Sequence, residues 1–410
     1  MRASIAVFCL LLVATSASAA DRTVGFVTTV AGVPGVAGFS DGPAAVATFN
    51  KPTWVDVARV DGTVVRAGDI FVVDRGNQTI RRISANGVST YRVTYLNQTS
   101  LVPIDFGGPL GGGIVVEPPN SGCGFGPYDS GMFISSSGSQ QLALISMGGS
   151  LAARDDVSPL IGVANAPGSA DGTAGNFYTP AKEAQFRTPT GLARSWIYAD
   201  HFPFNRKLYI ADTGNHTIRQ IRFASSGEGC PQTQMVETIA GAAGQAGSRD
   251  GAGATARFNS PRGVAAGPDG SVFVADTGNH AIRRIAPDGT VTTIAGELGV
   301  PGSDDGIARS AHLNNPSGID INAKGEIFIA DTGNHAIRMI TTDGRLVTLA
   351  GTPGISGFAD GLAATARFSG PVGIRIAPDG SLLIADTSNH AIRRFSFVSV
   401  PDTRRRSARH

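Results

Sequence analysis

Five aspartates stand seven residues ahead of five arginines in this chain: Asp74/Arg81, Asp212/Arg219, Asp276/Arg283, Asp331/Arg338 and Asp386/Arg393. Charges repeated at that spacing could line a binding ring, or each pair could close on itself. A sixth, degenerate copy at 132–145 favours the second reading, because it carries Ser136 and Ala143 where the others carry Asp and Arg. Joint loss means that the two side chains answer each other. The Asp, at a strand end, accepts the N–H groups of the turn after it, and the Arg reaches back to it. Removing one partner of such a half-buried pair costs about 3 kcal/mol or more.

The pairs sit in a repeated hairpin. Ala275 to Ile285 returns at 330–340, 385–395 and 211–221, with a looser copy at 73–83. An apolar run such as Val272 to Ala275 reads as a strand, Asp-Thr-Gly-Asn as a tight turn with Gly supplying positive φ, and Ile282 to Ile285 as the returning strand. Upstream, Pro-x-Gly opens a short apolar strand, and downstream Thr290 to Gly296 forms another. The unit is four antiparallel strands. One such sheet cannot cover both of its faces, so six of them, about 55 residues apart, pack radially as an all-β six-bladed propeller. The last copy lacks a fourth strand and Gly25 to Gly32 has its form, so the N-terminal strand is expected to complete blade six and close the ring.

The Asn279-His280-Ala281-Ile282-Arg283 core resembles the NHL repeat, and the Ala-Gly-x-x-Gly-x-x-Gly-x-x-Asp-Gly connections resemble those of the secreted, Asp-Gly-rich NHL propellers. The resemblance covers most of residues 24–397 and is most specific in the last three blades. It implies the fold. For function it implies protein binding, RNA binding or lyase chemistry, since all three occur among NHL proteins.

Four repeat histidines, His216, His280, His335 and His390, invite a metal site. Strands about 4.8 Å apart place the third strand of a blade roughly 15 Å from the axis. Neighbouring histidines are then roughly 15 Å apart as well, whereas zinc holds its ligands at about 2.1 Å. These histidines are therefore read as structural, and no metal ligand is assigned. His201 and His312 lie outside the repeat position.

The recurrent Asp41, Asp171, Asp250, Asp305 and Asp360 could be read as a calcium ring. Four of them precede Phe49, Phe258, Leu313 and Phe368 by eight residues of Ala-rich sequence. That pattern predicts a short helix capped by the Asp and ended by an apolar anchor. Gly-x-Ser-x-Gly, His-Glu-x-x-His and Cys-x-x-Cys are absent. Propeller active sites are assembled at the axis from separate blades, so local motifs do not decide the question of catalysis.

Residues 1–20 read as a targeting segment: Arg2, the apolar run Ile5 to Ala14, then Ala17-Ser18-Ala19. The propeller is expected over 21–397, followed by a basic tail, 398–410. Secretion, or a periplasmic location in a bacterium, follows. No later run reaches the roughly 18 apolar residues of a membrane span. The formal charge is +2 and falls to +1 without Arg2, which supplies no field to gather nucleic acid. Cys123 and Cys230 remain after the segment containing Cys9 and read as one disulfide between neighbouring blades, with two free or separately paired thiols as the alternative. Sequons occur at Asn77, Asn97 and Asn215, of which Asn97 is the best acceptor.

Extra length is confined to blades one to three. From Pro to Asp the later copies take 15 residues, but Pro52 to Asp74 takes 22 and Pro189 to Asp212 takes 23. The segment Arg194 to Lys207 carries Trp196, Tyr198, His201, Phe202 and Phe204. Idiosyncratic loops on a rigid scaffold are where recognition is placed. The first expectation is a monomeric scaffold that binds an extracellular protein or glycan. The alternative is an enzyme resembling secreted six-bladed lyases and lactone hydrolases, with calcium or zinc on the axis.

Overall fold

Each repeat folds as an antiparallel sheet in sequence order. In blade four the strands are Gly263–Ala266, Val272–Asp276, Ala281–Ile285 and Thr290–Ala295. The structure is a computed structural model describing residues 21–59, 61–62, 65–91, 94–95, 113–117, 130–147, 156–163, 165–174, 183–195, 207–224 and 233–401. Six such sheets form the ring of a six-bladed propeller. The first strand of each blade is innermost, next to the first strands of its neighbours.

The N-terminal strand Asp21–Ala31 pairs antiparallel with Ala391–Pro401, from Asp21↔Pro401 to Ala31↔Ile392. Chain start and chain end thus share one blade, which removes an exposed edge.

Neighbouring blades cover both faces of each sheet, so the second strands are buried throughout instead of alternating; Val272–Asp276 and Ile327–Asp331 are examples. The core is correspondingly split into layers between blades. One layer joins Phe273 and Ala275 of blade four to Ile319, Ile327 and Leu346 of blade five. Another joins Leu383 and Ala385 of blade six to Val55, Val57 and Val72 of blade one.

Three details differ from expectation. Blades two to six have a fifth, outermost strand of two or three residues, such as Gly251–Ala252 pairing with Thr290–Ala295. Blade one has a single bridge there, Gly42↔Val88. In blades three to six this strand, and in blade one the bridge, is built from the Asp-Gly connection, whereas blade two uses Thr94–Tyr95, paired parallel. The helix expected in the Asp-Gly connections does not form, and in blade four the strand is followed by one turn, closed by Ala256 N–H donating to Ala252 O. The apolar anchors are nonetheless fully buried, at Phe49, Phe258, Leu313 and Phe368. The third difference is in the hairpin turn. The positive φ falls on the residue after Asn, His280 at 56°, and not on Gly278. Gly278 is needed for a different reason, since a Cβ there would collide with the Asn259 side chain.

Cys123, Cys230, Asn97, Trp196, Tyr198, His201, Phe202 and Phe204 lie outside the described residues. Among the described residues no helix is long and apolar enough to cross a membrane.

Candidate functional site

The repeated polar residues are consumed within the blades. In blade four, Asp276 Oδ1 accepts from Asn259 N–H at 2.8 Å; its Oδ2 accepts from Asn279 Nδ2 at 2.8 Å and Arg283 Nη1 at 2.8 Å. The acid thus holds the loop entering its own blade through a backbone N–H, and the turn after it through the Asn279 side chain instead of the turn's N–H groups. Arg283 also donates to the Arg257 and Arg249 carbonyls and to Asp250 at 2.5 Å, while its guanidinium lies 5.2 Å from the Phe258 ring centre. Arg81, Arg219, Arg338 and Arg393 repeat the scheme with Asp41, Asp171, Asp305 and Asp360 as their outer partners. Asp41, Asp250, Asp305 and Asp360 also accept from Thr90, Thr293, Thr348 and Thr29 on the fourth strand, N–H and hydroxyl alike. So the connection's Asp does not cap a helix; it ties the loop to the blade.

Electrostatics divides the two kinds of Asp. Burial pushes the inner Asp212, Asp276, Asp331 and Asp386 up to about 6 against the pull of the arginines and amide donors. At Asp41 and Asp250 modest burial raises the pKa, but the backbone N–H of Thr90 or Thr293 and the adjacent arginine outweigh it, and both sit below the usual range. The sequon residues Asn77 and Asn215 belong to the same network: their Nδ2 atoms donate to Asp74 and Gly38 O, and to Asp212 and Gly168 O, and Asn215 is buried.

The histidines join blades. His216, His280, His335 and His390 accept through Nδ1, at 3.0–3.1 Å, from Ser260, Asn315, Gly370 and Lys51 N–H of the next blade. Both residues of each clasp hold a left-handed backbone: His390 at φ 55° and Lys51 at 51°, for instance. Such strain persists only where its surroundings reward it. In the degenerate copy Gln140 takes the histidine's place, at φ 61°, and its Oε1 accepts from Thr188 N–H at 2.6 Å. Beside the clasps, Thr213, Thr277, Thr332 and Thr387 donate to Pro261, Pro316, Pro371 and Pro52 carbonyls of the following blades. Among the described residues His, Cys, Asp and Glu form no cluster of three able to hold a metal. His312 is near the surface, between Asp304 and Glu297.

Polar residues that break the repeat gather on the axis. Where the inner strands run toward the long connections, buried Asp56 accepts from Arg375 Nε at 2.7 Å, Val57 N–H at 2.8 Å and Val116 N–H at 2.7 Å. Asp320 accepts from Ile376 N–H at 2.8 Å and lies 3.8 Å from Arg375 Nη1. Arg194 donates to Val116 O and Arg59 to Ile376 O. Among the described residues this cluster brings three guanidiniums and two carboxylates together. Burial raises the Asp56 pKa, but the charges of Arg375 and Arg194 overcome it and hold the acid ionised. Arg194 and Glu117 lie at the roots of the long connections 196–206 and 118–129, so the cluster lies where those connections leave the sheet. Asp56, Asp320 and Arg375 were not singled out from sequence. They share one column, four residues after the blade's proline, where blades three and four have Ala193 and Ala265.

A family model described as NHL repeat matches residues 258–285, 313–338 and 368–395, the hairpins of blades four to six. The chain is 31% identical over 201 residues to Protein SUPPRESSOR OF QUENCHING 1, chloroplastic, of Arabidopsis thaliana, covering 47% of this chain and 18% of that protein. It is 28% identical over 203 residues to NHL repeat-containing protein 2 of Homo sapiens, covering 45% and 28%. The chain thus spans under a third of the length of these curated relatives. Among solved structures, a protein of unknown function from Bacteroides thetaiotaomicron matches 92% of this chain and 77% of its own, at TM-score 0.61 and 16% identity. An auxiliary nutrient binding protein from the same organism matches 92% and 77%, at 0.60 and 17%. At such identities the likeness is one of fold.

Proposed function

We propose that this NHL-repeat propeller is a secreted or periplasmic binding scaffold, monomeric, that holds an extracellular protein or glycan over the axis on the face of its long connections. One observation carries the reading. The repeated polar side chains are consumed inside blades or at their junctions, whereas the non-repeated ones, Asp56, Arg59, Arg194, Asp320 and Arg375, collect beneath the segments with extra length. Rigid repeats with variable inserts at one mouth leave recognition to the inserts. The segment carries Trp196, Tyr198, His201, Phe202 and Phe204, ring side chains of a type suited to protein or sugar faces. The near-neutral formal charge disfavours a nucleic-acid partner.

The test is capture. Immobilised full chain is exposed to a glycan array and to extracellular proteins of the source organism, beside a variant in which residues 195–206 are replaced by the four-residue turn 267–270 of blade four. A partner retained by the first and lost by the second supports the reading. A partner retained by both rules that segment out.

A further inference from the structure

The rim of the ring holds a second departure from the repeat. Among the described residues ten large apolar side chains are exposed, and nine of them belong to three consecutive blades, five, six and one. Blade six is the middle of that arc and carries four: Ile355, Phe358 and Leu362 in the connection that enters it, and Phe397 on its third strand. Blade four carries none, because the columns of Ile355, Phe358 and Leu362 are filled there by Gln245, Ser248 and Ala252. Exposed apolar side chains are ordinary when scattered singly, but a contiguous row marks an interaction surface.

In blade six the row follows the outer edge of the sheet. The connection is anchored to the hairpin turn, where Asn389 Nδ2 donates to Gly357 O at 2.8 Å, and Phe358 lies 4.3 Å from the Arg393 guanidinium. Leu362 then pairs with Phe26, and the neighbouring Gly25 pairs with Phe397, so that two strand spacings, about 10 Å, take the row from Leu362 to Ala391–Pro401. Phe397 stands edge-on to buried Phe395 at 5.0 Å and is itself 60% exposed. The one acid in residues 352–362, Asp360, is taken up by Arg393 and Thr29. Past Phe397 the strand ends at Pro401, and the tail 402–410, outside the described residues, continues from there with Arg404, Arg405, Arg406 and Arg409 against a single acid, Asp402.

We propose that the outer edge of blade six docks on an anionic lipid surface, with Ile355, Phe358, Leu362 and Phe397 entering the headgroup boundary and the tail arginines meeting the lipid phosphates. An apolar row without acids beside a run of arginines is complementary to such a surface in both of its layers. Burial of a few apolar side chains at a bilayer surface is marginal by itself and becomes stable when a polybasic segment is added. The edge lies on the outside of the ring, so this docking stands or falls independently of the axial mouth at which the partner is placed above.

The experiment floats the full chain with vesicles of phosphatidylcholine alone and of phosphatidylcholine with about one third phosphatidylglycerol, at low and high salt, beside a heparin column as a lipid-free polyanion. It is repeated on two variants. One combines Ile355→Gln, Phe358→Ser and Leu362→Ala, the residues that blade four carries; the other combines Arg404→Ser, Arg405→Ser and Arg406→Ser, which touch none of the described fold. The expected result is flotation with the phosphatidylglycerol vesicles only, reduced by high salt and weakened at least tenfold in each variant. No flotation, equal flotation with both kinds of vesicle, or retention by heparin without flotation overturns the proposal. So does undiminished flotation of either variant, and the arginine variant keeps the test decisive if the apolar one fails to fold.

Discussion

Replacing the four clasp histidines by glutamine, His216→Gln, His280→Gln, His335→Gln and His390→Gln together, should remove much of the acid sensitivity of this fold without weakening it at neutral pH. Each Nδ1 accepts a backbone N–H from the next blade, which only neutral imidazole can do. Burial lowers all four histidine pKa values below the ordinary 6.5. With the folded value depressed, the unfolded chain takes up protons first, so the stability is intact above pH 6.5 and is lost as pH falls below it. A hydrogen bond lost at each junction is worth about 1 kcal/mol, hence about 4 kcal/mol for the four. Unfolding entropy of roughly 2.1 cal/mol/K per residue over roughly 380 residues converts that to about 5 °C. Glutamine keeps the acceptor and does not titrate, and Gln140 already makes this clasp from the same left-handed backbone. The assay is thermal unfolding at pH 7.5 and 5.0. The wild type should lose about 5 °C more between the two than the quadruple variant, with the two within about 2 °C at pH 7.5. The buried aspartates near 6 titrate in both proteins and cancel. Equal pH dependence in both would refute the clasp reasoning.

Three further outcomes follow from the same geometry. Arg283→Leu strands Asp276 and Asp250 and should cost about 3–5 kcal/mol in urea unfolding. Gly318→Ala places a Cβ against Val372 O of the neighbouring inner strand, closer than real Cβ atoms stand, and should lower the melting temperature by several degrees, unlike Gly325→Ala, whose φ of 88° carries only a local turn cost. Removing divalent cations with EDTA should leave the melting temperature unchanged within about 1 °C, because a guanidinium fills the place that a calcium ring would need at Asp41, Asp171, Asp250, Asp305 and Asp360; a large drop would show a bound ion.

Legibility followed sequence distance. Hairpins and ring closure could be read because strand, turn and return lie within about a dozen residues and recur. The inner Asp–Arg pairs, seven apart, belong to the same window. The connection Asp was misread because its partner lies 33 residues on, at Arg283 for Asp250, so a local pattern of Ala and Phe suggested a helix instead. Gly278 was given a backbone role because turns usually need one, whereas packing against Asn259 decides it. The axial cluster was missed altogether: Asp56 and Arg375 are 319 residues apart and only ring closure brings them together. Comparing repeats for the columns that vary, and not for those that persist, would have exposed Asp56, Asp320 and Arg375 in one column.

The central claim is a division of labour in which repeated residues build the ring and non-repeated ones recognise. The most direct measurement is partner affinity and melting temperature, taken together, on the 195–206 exchange and on the histidine quadruple variant at pH 7.5. The account predicts that the exchange abolishes affinity with the melting temperature unchanged, and that the quadruple variant keeps both. Affinity that survives the exchange, or fails with the histidines, would contradict it.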